Sequence, residues 1–309
     1  MAVGSRIGAG DMVFELFEQR APIASGRVAE LANEGFYDGI IFHRVVDNFV
    51  IQAGDPTGTG TSGSTKANFD DDFHPDLQHN TEGVLSFAKT TDDTNNSQFF
   101  ITEIPTRNLD FNHSVFGQLV EGFDVREAIS ETQVNNSSQN KPTNESASVF
   151  TDTENSVVML KPIGNATGTT TVTVTVTDAD GNSFSETITV TIAADTANSQ
   201  PFLNPIADPQ ATPVGQQAQL QLSSTDIEGD AVTYTAASSS SNATAVVNST
   251  TGLVTVTPVA GFAGTVSVQV GVQPGPGVTG NGQSDSDLQT VAFTFESEGV
   301  LTPTAVDLQ

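Results

Sequence analysis

A single arginine stands in an otherwise largely apolar run, FHRVVDNFVIQAGDP, at residues 42–56. The chain has only ten Lys and Arg among 309 residues, so a guanidinium set among Phe, Val and Ile is costly unless something uses it. Side chains alternate between the faces of a strand, so Phe42 and Arg44 share one face and His43 and Val45 the other. After the Asp47–Asn48 turn, Phe49 pairs with Ile51 and Val50 with Gln52. Farther on, SQFFI at 97–101 sets Gln98 and Phe100 on one face. Converged, these residues make an apolar cup with amide donors and one cation. The set contains no acid–base pair, no nucleophile with its base and no phosphate loop. It suits a reaction that breaks no covalent bond.

The elements that must position this cup are mostly strands. Asp11–Phe17 alternates, as do Ile40–Val46, Phe49–Ala53, Val84–Lys89, Gln98–Glu103 and Ser114–Val120. Between the first two, Pro22–Gly35 has the apolar spacing of a helix ended by glycine, and Glu121–Glu131 is a second short helix. Many strands with two helices predict a closed antiparallel β-barrel with helices at its ends. The second half is all-β. Thr169–Thr177 and Phe184–Ile192 form a hairpin around DADGNS, with valines on a face expected to be buried and threonines opposite. Gln200–Pro209 reads as a linker. Seven short strands follow, around Ile206 and at Ala218–Leu222, Ala231–Thr235, Ala245–Val247, Gly252–Thr257, Thr265–Val272 and Thr290–Phe295, which predicts an immunoglobulin-like sandwich. The division is therefore 1–150, a three-strand partial sandwich over 151–197, and a sandwich over 198–309.

Composition narrows the partners. The first 150 residues hold 14 of 19 Phe and nine of the ten Lys and Arg. Net charge is −27, which argues against nucleic acid and against anionic membrane surfaces. Cysteine is absent, so there is no disulfide framework and no thiol chemistry. No apolar run is long enough to cross a membrane, and the opening MAVGSRIGAGD lacks the apolar core of a secretory signal.

The motifs carry a resemblance over roughly residues 4–150. FYDGIIFHRVVDNFVIQAGDPTGTG (36–60), FDDDFHPDL (69–77), GVLSFAK (83–89), NNSQFFIT (95–102) and LDFNHSVFGQLVEGFDV (109–125) resemble, in order, the blocks of the cyclophilins. These are peptidyl-prolyl cis-trans isomerases. The resemblance implies a mainly β fold, a cyclophilin-like barrel with two helices. It sets Arg44 at the family's catalytic arginine. It sets Phe49, Val50, Phe100 and Leu109 at the proline pocket, Gln52, Ala88, Lys89 and Gln98 along the substrate backbone, and His113 at the rim. Lys89 departs from a common Asn, so its backbone is expected to bind. Asn108 departs from a Trp that contacts the macrocyclic inhibitor cyclosporin. Residues 151–309 resemble the immunoglobulin-like and cadherin-like modules of bacterial surface and exported proteins.

These resemblances imply an X-Pro isomerase for exported or surface proteins, acting outside the cytoplasm as a monomer, without nucleic acid or membrane insertion. The reading from a different class is a non-catalytic proline-peptide-binding module of a surface adhesion protein. No cofactor is expected. The alternating oxygens of Asp226, Glu228 and Asp230, and those of DADG at 178–181, are Ca²⁺ candidates, with a turn that simply needs Asp and Gly as the preferred explanation. Phe42, Phe99 and Phe116 read as core rather than site, His43, His74 and His79 lack metal-ligand spacing and read as surface or structural residues, and Asp70–Asp72 as a solvated loop.

Overall fold

The computed structural model describes residues 2–7, 10–132, 144–151, 155–164, 166–278 and 286–297. Residues 1–156 together with 198–309 make one compact unit, and 157–197 a second. The first half of the larger unit contains eight strands: β1 (Ala2–Ile7), β2 (Gly10–Leu16), β3 (Arg44–Val46), β4 (Val50–Ala53), β5 (Val84–Phe87), β6 (Phe99–Thr102), β7 (Val115–Glu121) and β8 (Asn144–Phe150). They form one sheet in the order β3-β4-β6-β5-β7-β2-β1-β8, every pair antiparallel. The sheet curls around a single core that includes Met12, Phe14, Phe42, Ile51, Phe87, Ile101 and Phe116. The last strand, β8, pairs antiparallel with the first, with Ser146–Phe150 opposite Ala2–Arg6.

Helix α1 (Pro22–Asn33) turns Ala24, Val28 and Leu31 into that core. Its start is held by Asp72, whose Oδ2 accepts the amides of Ile23 at 2.8 Å and Ala24 at 3.0 Å, a carboxylate at the positive end of the helix dipole. Its end is a Schellman turn. Gly35 has φ of +69°, and the amides of Gly35 and Phe36 return to the carbonyls of Ala32 and Leu31. Helix α2 (Phe123–Ser130) buries Val125 and Ile129. The acidic run expected as a solvated loop is therefore partly structural: Asp72 caps α1, and the Asp71 side chain is only 2% exposed.

In the smaller unit, β9 (Gly168–Thr177) and β10 (Ser183–Ile192) pair as the predicted hairpin. Asp178 accepts the amides of Asp180 and Asn182 at its turn, an Asx arrangement. The threonine face is tied by hydroxyl pairs such as Thr173–Thr187 at 2.9 Å. The valine face is not buried, contrary to expectation. Val176 is 64% and Phe184 70% exposed, because the described residues of 157–197 hold only these two strands, and two strands supply no opposing layer.

The remaining strands are β11 (Phe202–Leu203), β12 (Thr212–Pro213), β13 (Ala218–Gln221), β14 (Ser224–Thr225), β15 (Val232–Ser238), β16 (Ala243–Val247), β17 (Leu253–Pro258), β18 (Gly264–Pro274) and β19 (Asp287–Glu296). Sheets β12-β19-β18-β15 and β13-β17-β16 enclose a core rich in valine, with Phe293 and Phe295. The mainly β sandwich matches the expectation, with two corrections. The strand sought around Ile206 lies at Phe202–Leu203, where it pairs with β14. Gln200–Pro209 is accordingly no free linker at its start, since Gln200, Phe202 and Leu203 are all buried.

Candidate functional site

Three buried side chains, Val50, Phe100 and Leu109, form an apolar cluster separate from the barrel core, with Phe49 and Ala88 packed against it. They come from β4, β6 and a single 3₁₀ turn, Arg107–Leu109. Arg44 stands exposed at the edge of this cup. Its guanidinium carbon is 5.5 Å from the centre of the Phe49 ring, and its Nη1 reaches Gln52 Oε1 at 3.5 Å. The β3–β4 register makes Arg44 and Gln52 direct partners. Phe42 and Phe116 lie in the barrel core with Phe99 packed against it, as the sequence reading expected of all three; the ladder begins only at Arg44, and residues 42–43 lie outside it. Phe49 and Ile51 also part company, one to the cup and one to the core, since Phe49 precedes β4.

The arginine is held through a relay of amides. Gln52 Nε2 donates to Gln98 Oε1 at 2.9 Å, and Gln98 Nε2 donates to the Ser62 carbonyl at 2.7 Å. Ser62 closes a loop organised by Asp55, which sequence reading passed over. The buried Asp55 carboxylate accepts five backbone amides, those of Thr57, Thr59, Gly60, Thr61 and Ser62. Burial would raise its pKa, but the hydrogen bonds from Thr57, Ser62 and Gly60 hold it well below the usual carboxylate range. Just before it, Gly54 has φ of +90°. A Cβ there would sit 2.2 Å from the Ser97 carbonyl oxygen, so only glycine fits. The QxGDP spacing was the visible signal of this device.

Phe100 forms the floor of the cup between two histidines. His79, fully buried, stacks on it at 5.6 Å, and His113 meets it edge-on at 5.3 Å. His79 is a structural residue: Nδ1 lies 3.0 Å from Asp110 and Nε2 3.0 Å from Ser86 Oγ. His113 Nδ1 lies 2.9 Å from the Phe87 carbonyl, which can only accept, so that nitrogen carries the proton. Burial, with smaller contributions from His79 and Lys89, pushes His113 down to about 4, so it stays neutral at physiological pH and presents Nε2 as an acceptor.

The Lys89 side chain points to a buried ion pair. It is 4% exposed and contacts Asp71, with Asp92 at 3.2 Å. Burial lowers its pKa, yet the two carboxylates outweigh this and the net direction is upward. The ammonium is thus spoken for, and Ala88 beside it lies in the cup, its amide on the Gln98 carbonyl at 2.9 Å. Carboxylate oxygens of Asp71, Asp92 and Asp287 all lie within 4.8 Å of one another, as do those of Asp47, Glu103 and Glu131. Among the described residues, neither such group contains Asp226, Glu228 or Asp230. Asp226 takes the Asp230 amide at 2.7 Å, and Glu228 takes the amide and hydroxyl of Ser199.

Comparison with known proteins agrees with the geometry. The profile of the cyclophilin type peptidyl-prolyl cis-trans isomerase family matches residues 2–150, and that of the cadherin-like domain matches residues 196–289. The chain is 49% identical over 118 residues to the peptidyl-prolyl cis-trans isomerase ppi1 of Schizosaccharomyces pombe, covering 38% of this chain and 76% of that one. It is 42% identical over 135 residues to the human peptidyl-prolyl cis-trans isomerase-like 1, covering 43% of this chain and 80% of that one. Among solved structures, the Cryptosporidium parvum cyclophilin-type isomerase studied with the dipeptide Ala-Pro aligns at a TM-score of 0.47 and 32% identity, over 49% of this chain and 100% of that one. Because the two curated isomerases, at 49% and 42% identity, are matched over 76% and 80% of their length, the chain belongs to the cyclophilin-type peptidyl-prolyl cis-trans isomerases, and it carries a cadherin-like domain after the isomerase region.

Proposed function

We propose that this isomerase acts through Arg44 on X-Pro bonds of exported or surface polypeptides, outside the cytoplasm and as a monomer. The observation that carries the reading is the placement of one guanidinium, tethered to Gln52, at the edge of a cup built from Val50, Phe100 and Leu109. The X-Pro amide is held planar by resonance, with a barrier of roughly 18–20 kcal/mol. Twisting it removes the conjugation and makes the proline nitrogen a better hydrogen-bond acceptor. A guanidinium aimed at that nitrogen, or at the preceding carbonyl, favours the twisted state over the planar one.

Millisecond turnover requires lowering the barrier by about 6 kcal/mol. One charge-assisted hydrogen bond contributes about 1.5–3 kcal/mol, so ring burial in the cup and clamping of the flanking backbone supply the remainder. Gln52, Gln98 and the backbone at Ala88 and Lys89 serve as the clamp, and the neutral His113 offers an acceptor at the rim. The cadherin-like match and the acidic composition support the extracytoplasmic placement. The test is an isomerase assay on a short proline peptide with the full chain and with Arg44→Ala. Equal rates for the two proteins would remove Arg44 from the mechanism.

A further inference from the structure

The two loops that wall the cup are both touched by the sandwich. One is 109–113, which carries Leu109 at its start and His113 at its end. Between them Phe111 is buried, with φ of +54°, a left-handed conformation that a bulky side chain rarely holds without support. Its ring is tilted against Phe202 of β11 at 4.8 Å and meets Phe73 edge-on at 6.2 Å. Phe73 in turn meets Phe202 at 5.7 Å. Three rings from three segments thus close on one another.

The other wall is the segment that begins with Ala88 and Lys89. Asp92, which pairs with Lys89, accepts the Leu288 amide of β19 at 2.7 Å. Within the sandwich, Asp287 Oδ2 takes the Leu203 amide at 2.5 Å, joining β19 to β11. The sandwich therefore reaches the barrel with two linked strands, and each lands on a loop bearing cup residues.

We propose that Phe202 is a positioning residue for the isomerase: acting through Phe111, the cadherin-like domain fixes Leu109 and His113 in the cup. This rests on the reading that the cup receives the proline ring. Phe202 touches no substrate. Its role is to hold a strained backbone in the conformation that presents two pocket side chains, and misplacement by even about 1 Å is enough to slow a reaction many-fold.

The test uses the full chain with Phe202→Ala, Phe202→Leu and Arg44→Ala. It reads kcat and KM on a proline peptide, and follows the His113 ring proton by NMR as pH falls. The expected result for Phe202→Ala is a fall in kcat/KM of about fivefold or more, with KM rising. The His113 midpoint should climb from about 4 toward its ordinary value as the ring loosens and hydrates. Phe202→Leu, which keeps apolar volume, should recover most of both, and Phe202→Val, a smaller truncation, takes the place of the alanine variant if that one does not fold. A folded Phe202→Ala or Phe202→Val variant with wild-type kinetics and an unmoved His113 midpoint overturns the proposal. Arg44→Ala separates the layers. Loss of activity in Arg44→Ala but in neither Phe202 variant rejects the brace alone, whereas wild-type rates in all three reject the cup reading with it.

Discussion

Arg44 and Gln52 face each other across the β3–β4 ladder, with Nη1 3.5 Å from Oε1. This pair orients the guanidinium at the edge of the cup, and the orientation is transmitted from Gln98, Ser62 and finally Asp55. Arg44 itself is exposed and contributes little to packing. Arg44→Ala should therefore lower kcat/KM at least about tenfold while leaving the melting temperature nearly unchanged, a split expected when one transition-state interaction is removed. Near-wild-type kcat/KM would refute it. Arg44→Lys should not recover the rate, because a point ammonium lacks the guanidinium fork that engages Gln52 and the substrate together.

The relay makes a second, graded prediction. Gln98→Leu removes both the acceptor for Gln52 and the donor to Ser62, so Gln52 and Arg44 lose their fixed orientation. The expected outcome is a fall in kcat smaller than that of Arg44→Ala, and the double variant should lose no more than Arg44→Ala alone. Simple additivity of the two losses in a double-mutant cycle would show that the relay is not coupled to the arginine.

Cyclosporin should bind weakly. Asn108 is exposed on the 3₁₀ turn beside Leu109, at the position where the resemblance to the cyclophilins implies a Trp whose indole would pack and donate one hydrogen bond. The loss is on the order of 2–3 kcal/mol, about a hundredfold in affinity. Asn108→Trp should restore it, and nanomolar inhibition of the unaltered protein would show that another group compensates.

The carboxylates at the junction predict a pH dependence. Burial first, then neighbouring acids, raises Asp287 to about 8, Asp93 to about 7 and Asp92 to about 6. The folded state holds these protons more tightly than the unfolded chain. Their contribution is therefore fully present below the ordinary carboxylate pKa near 4 and is lost as pH rises through about 6–8. Asp287→Asn keeps an oxygen for the Leu203 amide and removes the charge. Its melting temperature should exceed the wild type's at pH 8.5, with the gap closing as pH falls toward about 4. A gap independent of pH would show that Asp287 is not the titrating group.

Much of the site was legible because it is local. FHRVVDNFVIQAGDP and SQFFI set Arg44, Val50, Gln52 and Phe100 on strands, with Gln98 just before β6, and alternation paired Val50 with Gln52 and Gln98 with Phe100. The misses share a cause. Gln200–Pro209 has a linker's prolines, yet Phe202 and Leu203 are buried by residues far away in the chain. The valine face of the hairpin obeys the two-residue period of a buried strand, but a period says nothing about whether an opposing layer exists.

Truncation follows from the same contacts. Ending the chain near 135 removes β8 and uncovers β1, so that fragment should aggregate. Ending near 152 keeps the eight-stranded sheet and should give a soluble protein, but one with Phe73 and Phe111 uncovered. Sequence alone predicts full activity for this fragment, because every site residue lies between Arg44 and His113. The ring cluster predicts instead a reduced kcat/KM, to be measured against the full chain on the same peptide.

Among the described residues, the ring cluster and the Asp92–Leu288 bond join the isomerase half to the sandwich, and contacts of this kind need not hold two separate molecules together. They are made within one polypeptide, however, and a tether of a few tens of residues sets an effective concentration in the millimolar range. An intrinsic dissociation constant of tens of micromolar is then enough to keep the bodies joined about 99% of the time. As separate fragments at low micromolar concentration, the same two bodies would remain mostly apart. Gene fusion here supplies by connectivity what a larger interface would otherwise have to supply by area, and it makes pocket geometry independent of how dilute the protein becomes.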